Sequence, residues 1–183
     1  MKFTRYLANL ITLLRIVGTA VLLFLPLFSV PFYAVYTLTG VTDVLDGAVA
    51  RATGTAGEFG AKLDSVADLF FYTVLLLRLI RYLIWLLPLF IWWLVAGILL
   101  IRLGAYAVAA VKYHRFATLH TYLNKLTGFS LFLLPYFLLL PFGKIYCFIV
   151  CAIGFLASLE ELILHLIRHR YNPEVKSLVF SSL

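Results

Sequence analysis

The sequence predicts an all-α integral membrane protein of about six transmembrane helices, with a short interfacial helix at its N-terminus. Three observations lead there. Hydrophobic residues make up 64% of the 183 residues and charged residues only 13%, whereas roughly a quarter of a soluble domain is charged. Mean hydropathy is +1.04. The apolar residues fall into runs, each about the length needed to cross a bilayer, separated by short stretches that hold Pro, Gly or charge. Five to seven spans of about 20 residues fit this length with no room for an added soluble domain, so residues 1–183 are expected to form a single membrane domain.

The first apolar run begins near Asn9 and passes Phe28 without a small-residue cleavage site, which reads as a retained span over 10–28 rather than a removed signal peptide. Ahead of it, Lys2 and Arg5 are mixed with Phe3, Tyr6 and Leu7, a composition suited to lying in the membrane interface. Pro26 and Pro31 bracket the first turn, and a second helix is expected over 32–52. Gly54 and Gly57 mark the next turn, and a third helix over 59–80 is expected to end at Arg78 and Arg81. The fourth helix, over 86–111, gives way to a polar stretch from Lys112 to Lys125. Pro141 and Gly143 separate a fifth helix over 126–140 from a sixth over 144–167. Within the sixth, Cys147 and Cys151 have no further ligands for a zinc site and read as small helix residues. Trp85, Trp92 and Trp93 read as interfacial or lipid-facing bulk.

A net charge of +7 raises the question of nucleic acid, yet the basic residues are scattered between apolar runs and build no basic domain. Anionic lipid headgroups and phosphate-bearing substrates account for the charge better. Six spans place both termini and the second and fourth loops on one side. That side carries Lys2, Arg5, Arg51, Lys62, Lys112, Arg115, Lys125, Arg168, Arg170 and Lys176, against Arg78, Arg81 and Lys144 on the other. The excess of Lys and Arg in cytoplasmic loops then puts the termini and Arg51 in the cytoplasm.

Of only eight acidic residues, four (Asp43, Asp46, Asp64 and Asp68) fall inside one strongly apolar region. A carboxylate in a membrane span is costly, and its default reading is functional. Asp43 and Asp46 are spaced i,i+3 on the second helix, Asp64 and Asp68 i,i+4 on the third, so each pair lines one face. Antiparallel helices on a short connection bring such faces together. Four converging carboxylates repel one another unless a positive charge lies among them. Ion pairs with Arg51 and Lys62 would leave at least two unmatched. Divalent metal supplies the charge, and an all-oxygen donor set suits Mg²⁺ or Mn²⁺ rather than zinc. Two such ions, about 4 Å apart, clamp a diphosphate for displacement at phosphorus. Gly47 and Gly60 clear space for a ligand beside the aspartates, and Arg51 could hold a phosphate in a fork or serve only as a boundary anchor.

The segment from Asp43 to Asp68 fits D-x2-D-G-x2-A-R-x8-G-x3-D-x3-D at every fixed position: Asp43, Asp46, Gly47, Ala50, Arg51, Gly60, Asp64 and Asp68. It resembles the CDP-alcohol phosphotransferase (phosphatidyltransferase) family, and a chance match has odds on the order of 10⁻⁸. The resemblance implies a homodimeric membrane enzyme whose four aspartates bind two Mg²⁺ or Mn²⁺ ions. It further implies that the glycines sit against the CDP nucleotide and that Asp68 doubles as general base. The expected reaction moves a phosphatidyl group from CDP-diacylglycerol to a small alcohol with release of CMP.

Outside the motif, Asn9, Thr12 and Arg15 resemble the Asn-x2-Thr-x2-Arg segment near the start of many family members, with Ala8 where proline is common. Asn9 and Thr12 share a helical face that could contact the nucleotide, or could serve helix entry alone. Arg102, His120, Asn124 and Lys125 could line an acceptor pocket, or form a solvated loop. Lys62 and Arg115 join Arg102 and Lys125 as groups suited to a phosphorylated acceptor. Family members using glycerol 3-phosphate often have Pro after the third aspartate and Lys after the fourth; here Ser65 and Leu69 stand there. Ser65 is more like the serine-using enzymes, but Phe70, Phe71 and Tyr72 replace their polar continuation. The acceptor is therefore expected among glycerol 3-phosphate, serine and inositol phosphate. Competing readings are an intramembrane prenyltransferase using a diphosphate donor and, from another class, a cation transporter with midplane carboxylates.

Overall fold

A computed structural model describes the backbone of residues 2–52, 58–113, 119, 121–168 and 177–178, and the side chains of these except 2–9, 44–52, 58–59, 61–62 and 65. Six helices stand among them: α1 (Lys2–Leu22), α2 (Val30–Ala52), α3 (Glu58–Leu86), α4 (Leu89–Tyr113), α5 (Tyr122–Phe137) and α6 (Gly143–Ile167). The all-α class is as expected, and several boundaries are not. Three segments, Val66–Leu86, Leu89–Tyr113 and Gly143–Ile167, are long and apolar enough to cross a membrane. Helix α1 has 21 residues, whereas α5 has 16, fewer than the roughly 20 of a full span.

No separate interfacial helix precedes the first span, because α1 runs unbroken from Lys2. Ala8, unlike a proline, donates its backbone N–H and lets the helix continue. At the other end α1 stops at Leu22, well short of Phe28. The turn that follows is held from two sides. Ser29 Oγ accepts the Phe32 N–H at 3.3 Å and so caps α2. Arg78 donates to the carbonyls of Leu23, at 2.9 Å, and Leu25. That contact also explains why Arg78 does not end the third helix: a guanidinium with carbonyls to satisfy it stays inside a helix, and α3 continues past Arg81 to Leu86, just ahead of Pro88.

The chain divides into two compact units, Met1–Ile84 and Trp85–Leu183. In the first, α1 and α2 pack along their length, and a run of rings joins α2 to α3. Phe32 stacks on Tyr36 at 5.8 Å, and Tyr36 on Phe71 at 5.4 Å, all three buried. Of the aromatic residues after the fourth aspartate, Phe71 is thus core, one turn from Asp68, while Tyr72 is exposed.

In the second unit α6 is the central element, buried along Cys147, Val150, Gly154, Ala157, Ser158, Glu161 and Leu164. Both cysteines are free, in line with their reading as small helix residues. The last carbonyls of α6 lack helical partners. Lys112 Nζ donates to those of His165 and Leu166 at 3.0 and 2.8 Å, and Tyr113 Oη donates to that of Arg168 at 2.9 Å. A cation at a helix C-terminus also opposes its dipole favourably. The α5–α6 turn depends on Gly143, where a Cβ would lie 2.6 Å from the carbonyl oxygens of Phe137 and Leu138.

Candidate active site

Three aspartates from two helices converge in the first unit. Asp43 lies on α2 and Asp64 and Asp68 on α3, and a carboxylate oxygen of each comes within 4.8 Å of the others. Their side chains are 48%, 43% and 41% exposed. One side of the cluster is therefore open to a ligand. The other is closed by Arg15 of α1, which is 1% exposed. Its Nη1 donates to Asp64 Oδ1 at 2.9 Å and Asp68 Oδ1 at 2.5 Å, and lies 2.9 Å from Asp43 Oδ1.

The local sequence explains why Arg15 arrives there. A Cβ on Gly18 would sit 2.5 Å from Thr39 Oγ1, so α1 and α2 cross at a point where only a glycine fits without displacing a neighbour. The helices are consecutive and antiparallel. One turn back along α1 is Arg15 and one turn on along α2 is Asp43, so the crossing at Gly18 and Thr39 sets the two face to face. Thr19 Oγ1 donates to the Arg15 carbonyl at 2.8 Å and is fully buried. On α3, the charged residues Glu58, Lys62, Asp64 and Asp68 all lie in the N-terminal part, ahead of the apolar run from Leu69 to Leu77. Asp64 and Asp68 therefore stand at the N-terminal edge of that run.

Chemically the donor set is all oxygen, held at a spacing that suits a hard cation. The position common to the three oxygens already takes a cationic nitrogen. Among the described residues, one guanidinium against three carboxylates leaves two negative charges over. The residues present fit a divalent metal.

Of the other expected site residues, Thr12 is buried on α1, one turn before Arg15, and Gly60 is in the first turn of α3. Asn9, Asp46, Gly47 and Arg51 lie on described helical backbone, while their side chains, with that of Lys62, are outside the described residues. Arg115 and His120 lie outside them altogether.

The remaining candidates belong to the second unit. Arg102 of α4 donates from Nη2 to Asn124 Oδ1 at 2.8 Å and to Glu161 Oε2 at 3.0 Å, and from Nε to Tyr106 Oη at 3.1 Å. Glu161 is wholly buried and accepts Asn124 Nδ2 at 3.0 Å and the Leu119 N–H at 3.2 Å. Lys125 is exposed. Asn124 and Lys125 are in the first turn of α5 rather than in a loop, because Thr121 caps the helix by accepting the Asn124 N–H at 3.2 Å.

Among the described residues, the buried charges Arg15, Glu160 and Glu161 escaped the sequence reading as partners. Each carried a signal, an ionisable residue within an apolar run, which demands a partner.

The family model described as CDP-alcohol phosphatidyltransferase matches residues 5–163. The chain belongs to this family. Within CDP-alcohol phosphatidyltransferases, 62 residues are 37% identical to a Methanocaldococcus jannaschii protein named CDP-diacylglycerol--serine O-phosphatidyltransferase, over 34% of this chain and 28% of that one. A 71-residue stretch is 42% identical to a Mycobacterium tuberculosis protein named "Probable phosphatidylglycerophosphate synthase", over 34% of each chain. The chain spans about a third of the length of the curated relatives it matches. No solved structure matches it.

Proposed function

We propose that this phosphatidyltransferase-family chain moves a phosphatidyl group from CDP-diacylglycerol to a small alcohol, releasing CMP, at the aspartate cluster. The observation that carries the reading is the convergence of Asp43, Asp64 and Asp68, open on one side, with more negative charge than Arg15 can balance. Asp46 completes the motif as a fourth ligand for two Mg²⁺ or Mn²⁺ ions. Bound there, the ions would supply Lewis-acid stabilisation of the diphosphate and its leaving oxygen. Asp68 takes the proton of the acceptor hydroxyl, whose oxygen attacks the phosphorus carrying diacylglycerol. Gly47 and Gly60 admit the nucleotide, Arg51 holds a phosphate, and Asn9 and Thr12 of the first helix are the further proposed nucleotide contacts. The protein's share of catalysis is positioning and electrostatics.

Glycerol 3-phosphate and serine are the acceptors proposed first, since relatives named for each are similar to this chain; inositol phosphate is third. We further propose a homodimer in the membrane, with both termini and the aspartates toward the cytoplasm. The test is purified protein with CDP-diacylglycerol, Mn²⁺ or Mg²⁺, and each acceptor in turn. CMP release that requires both metal and one acceptor, with the matching phospholipid as product, is the expected result. Release of diphosphate from a prenyl donor, or ion flux without CMP, would replace this reading by one of its rivals.

A further inference from the structure

Arg15 has no role in the reaction as proposed, yet it is the most deeply buried charge at the site. We infer that Arg15 is a resident counter-charge: it offsets the repulsion of the converged carboxylates in the metal-free protein and opposes the binding of a divalent ion to them. The inference rests on reading the aspartates as a metal site, and not on any particular acceptor or donor.

The geometry sets Arg15 apart from an ordinary boundary arginine. An exposed arginine on a membrane helix extends toward water, whereas this one is buried and directs a single nitrogen at three Oδ1 atoms, 2.5 to 2.9 Å away. Without it, carboxylates from α2 and α3 would face one another across less than 4.8 Å with no cation among the described residues. An ion arriving on the open side meets oxygens already polarised toward a guanidinium. Whether it displaces the nitrogen or sits beside it, the two positive charges repel at close range. Binding of metal and the hold of Arg15 are thus negatively coupled, and the coupling is reciprocal.

A residue that only braced the site would act with the opposite sign, since its loss would scatter the ligands and weaken metal binding. Here the bracing comes largely from elsewhere. The crossing at Gly18 and Thr39 fixes α1 on α2, and the stack of Tyr36 on Phe71 fixes α2 on α3. Removing the guanidinium therefore leaves the oxygens near one another while removing their competitor cation.

The experiment is Mn²⁺ binding by electron paramagnetic resonance, at low salt and without substrate, on full-length wild type, Arg15→Gln and Arg15→Lys. Expected is tighter binding by Arg15→Gln, by about tenfold or more, with Arg15→Lys within about threefold of wild type because it keeps the charge. The glutamine variant should unfold at lower temperature than wild type without metal and recover when Mn²⁺ is added. A variant that folds only with Mn²⁺ present counts for the inference. Equal or weaker Mn²⁺ affinity in Arg15→Gln overturns it and leaves the metal reading intact; no Mn²⁺ binding by any of the three proteins overturns the metal reading as well. Wild type alone gives a second measurement: with ¹⁵N-labelled arginine, the Arg15 guanidinium resonance should shift in step with Mg²⁺ occupancy. An unmoved resonance at saturation would sink the coupling.

Discussion

At the scale of single residues, Asp64 and Asp68 offer the same oxygen to the same nitrogen from adjacent turns of α3. Their proposed roles differ: Asp64 is a ligand alone, while Asp68 also accepts a proton from the acceptor hydroxyl. Asparagine preserves the shape and a carbonyl oxygen but cannot take that proton. Asp68→Asn is therefore expected to lower CMP release by about 10²–10⁴-fold or more, the scale of general base catalysis, while CDP-diacylglycerol affinity changes little. Asp64→Asn should lose Mn²⁺ affinity and turnover together. Parallel metal titrations and CMP assays separate the cases, and a Mn²⁺ affinity that falls in step with the rate in Asp68→Asn would make Asp68 a ligand only. The aspartates were legible because carboxylates in an apolar run stand out against the cost of burying them. Arg15 was visible as a letter but not as a partner, since its neighbours depend on where two helices cross.

At the scale of elements, that crossing is itself testable. Gly18→Ala adds helix propensity worth up to about 1 kcal/mol, but places a Cβ 2.5 Å from the hydroxyl of buried Thr39. Overpacking costs of about 1–3 kcal/mol outweigh the gain. Gly18→Ala should be less stable than wild type, and Thr39→Ala in the same chain should recover part of the loss; a double-mutant cycle of thermal unfolding measures the coupling. The second unit has its own joint. Glu161 is wholly buried and Arg102 is 26% exposed, so breaking their pair from the two ends should not cost the same. Arg102→Met strands a buried carboxylate and should cost about 3 kcal/mol or more. Glu161→Gln keeps a side-chain oxygen that Arg102 and Asn124 can still donate to, and should cost about 1–2 kcal/mol. Unfolding of the two variants checks the order, and a reversed order would mean that Arg102 is not the main partner of Glu161. Helix existence could be read from apolar runs and turn residues, but ends could not. The cap of α5 by Thr121, the turn contacts of Arg78 and the unbroken start of α1 all depend on single side chains or on a missing proline.

At the scale of the whole chain, the remaining question is which face of the membrane the aspartates address, and here a physical argument joins charge to the layout of α3. That helix has 29 residues, roughly 44 Å at 1.5 Å each, longer than a hydrocarbon core of about 30 Å. Its apolar part, Val66–Leu86, ends at the Pro88 turn, so the excess length lies at the N-terminal end, with Glu58, Lys62 and Asp64. The cluster is therefore reached from the side on which α3 begins. The proposed cytoplasmic placement of that side rests on charge, with ten basic residues expected there against three opposite. Three helices meet a length-and-hydropathy criterion for crossing, so the even number of crossings behind this assignment is the part that must be tested. The two cysteines, one buried and one partly so, can be replaced by serine or alanine to give a background for single cysteines. Cysteine in place of Gly57, in the α2–α3 connection, and of Lys125 should react with a membrane-impermeant maleimide only after cells are opened. Cysteine in place of Lys144 should react in intact cells. Labelling of position 57 from outside would invert the enzyme, and labelling of positions 57 and 125 from opposite sides would mean that α3 and α4 do not both cross. Either result would bear on the proposed function, because a CDP-linked donor carries a charged nucleotide that does not cross a bilayer unaided, and the open side of the carboxylates would have to face the compartment that holds it.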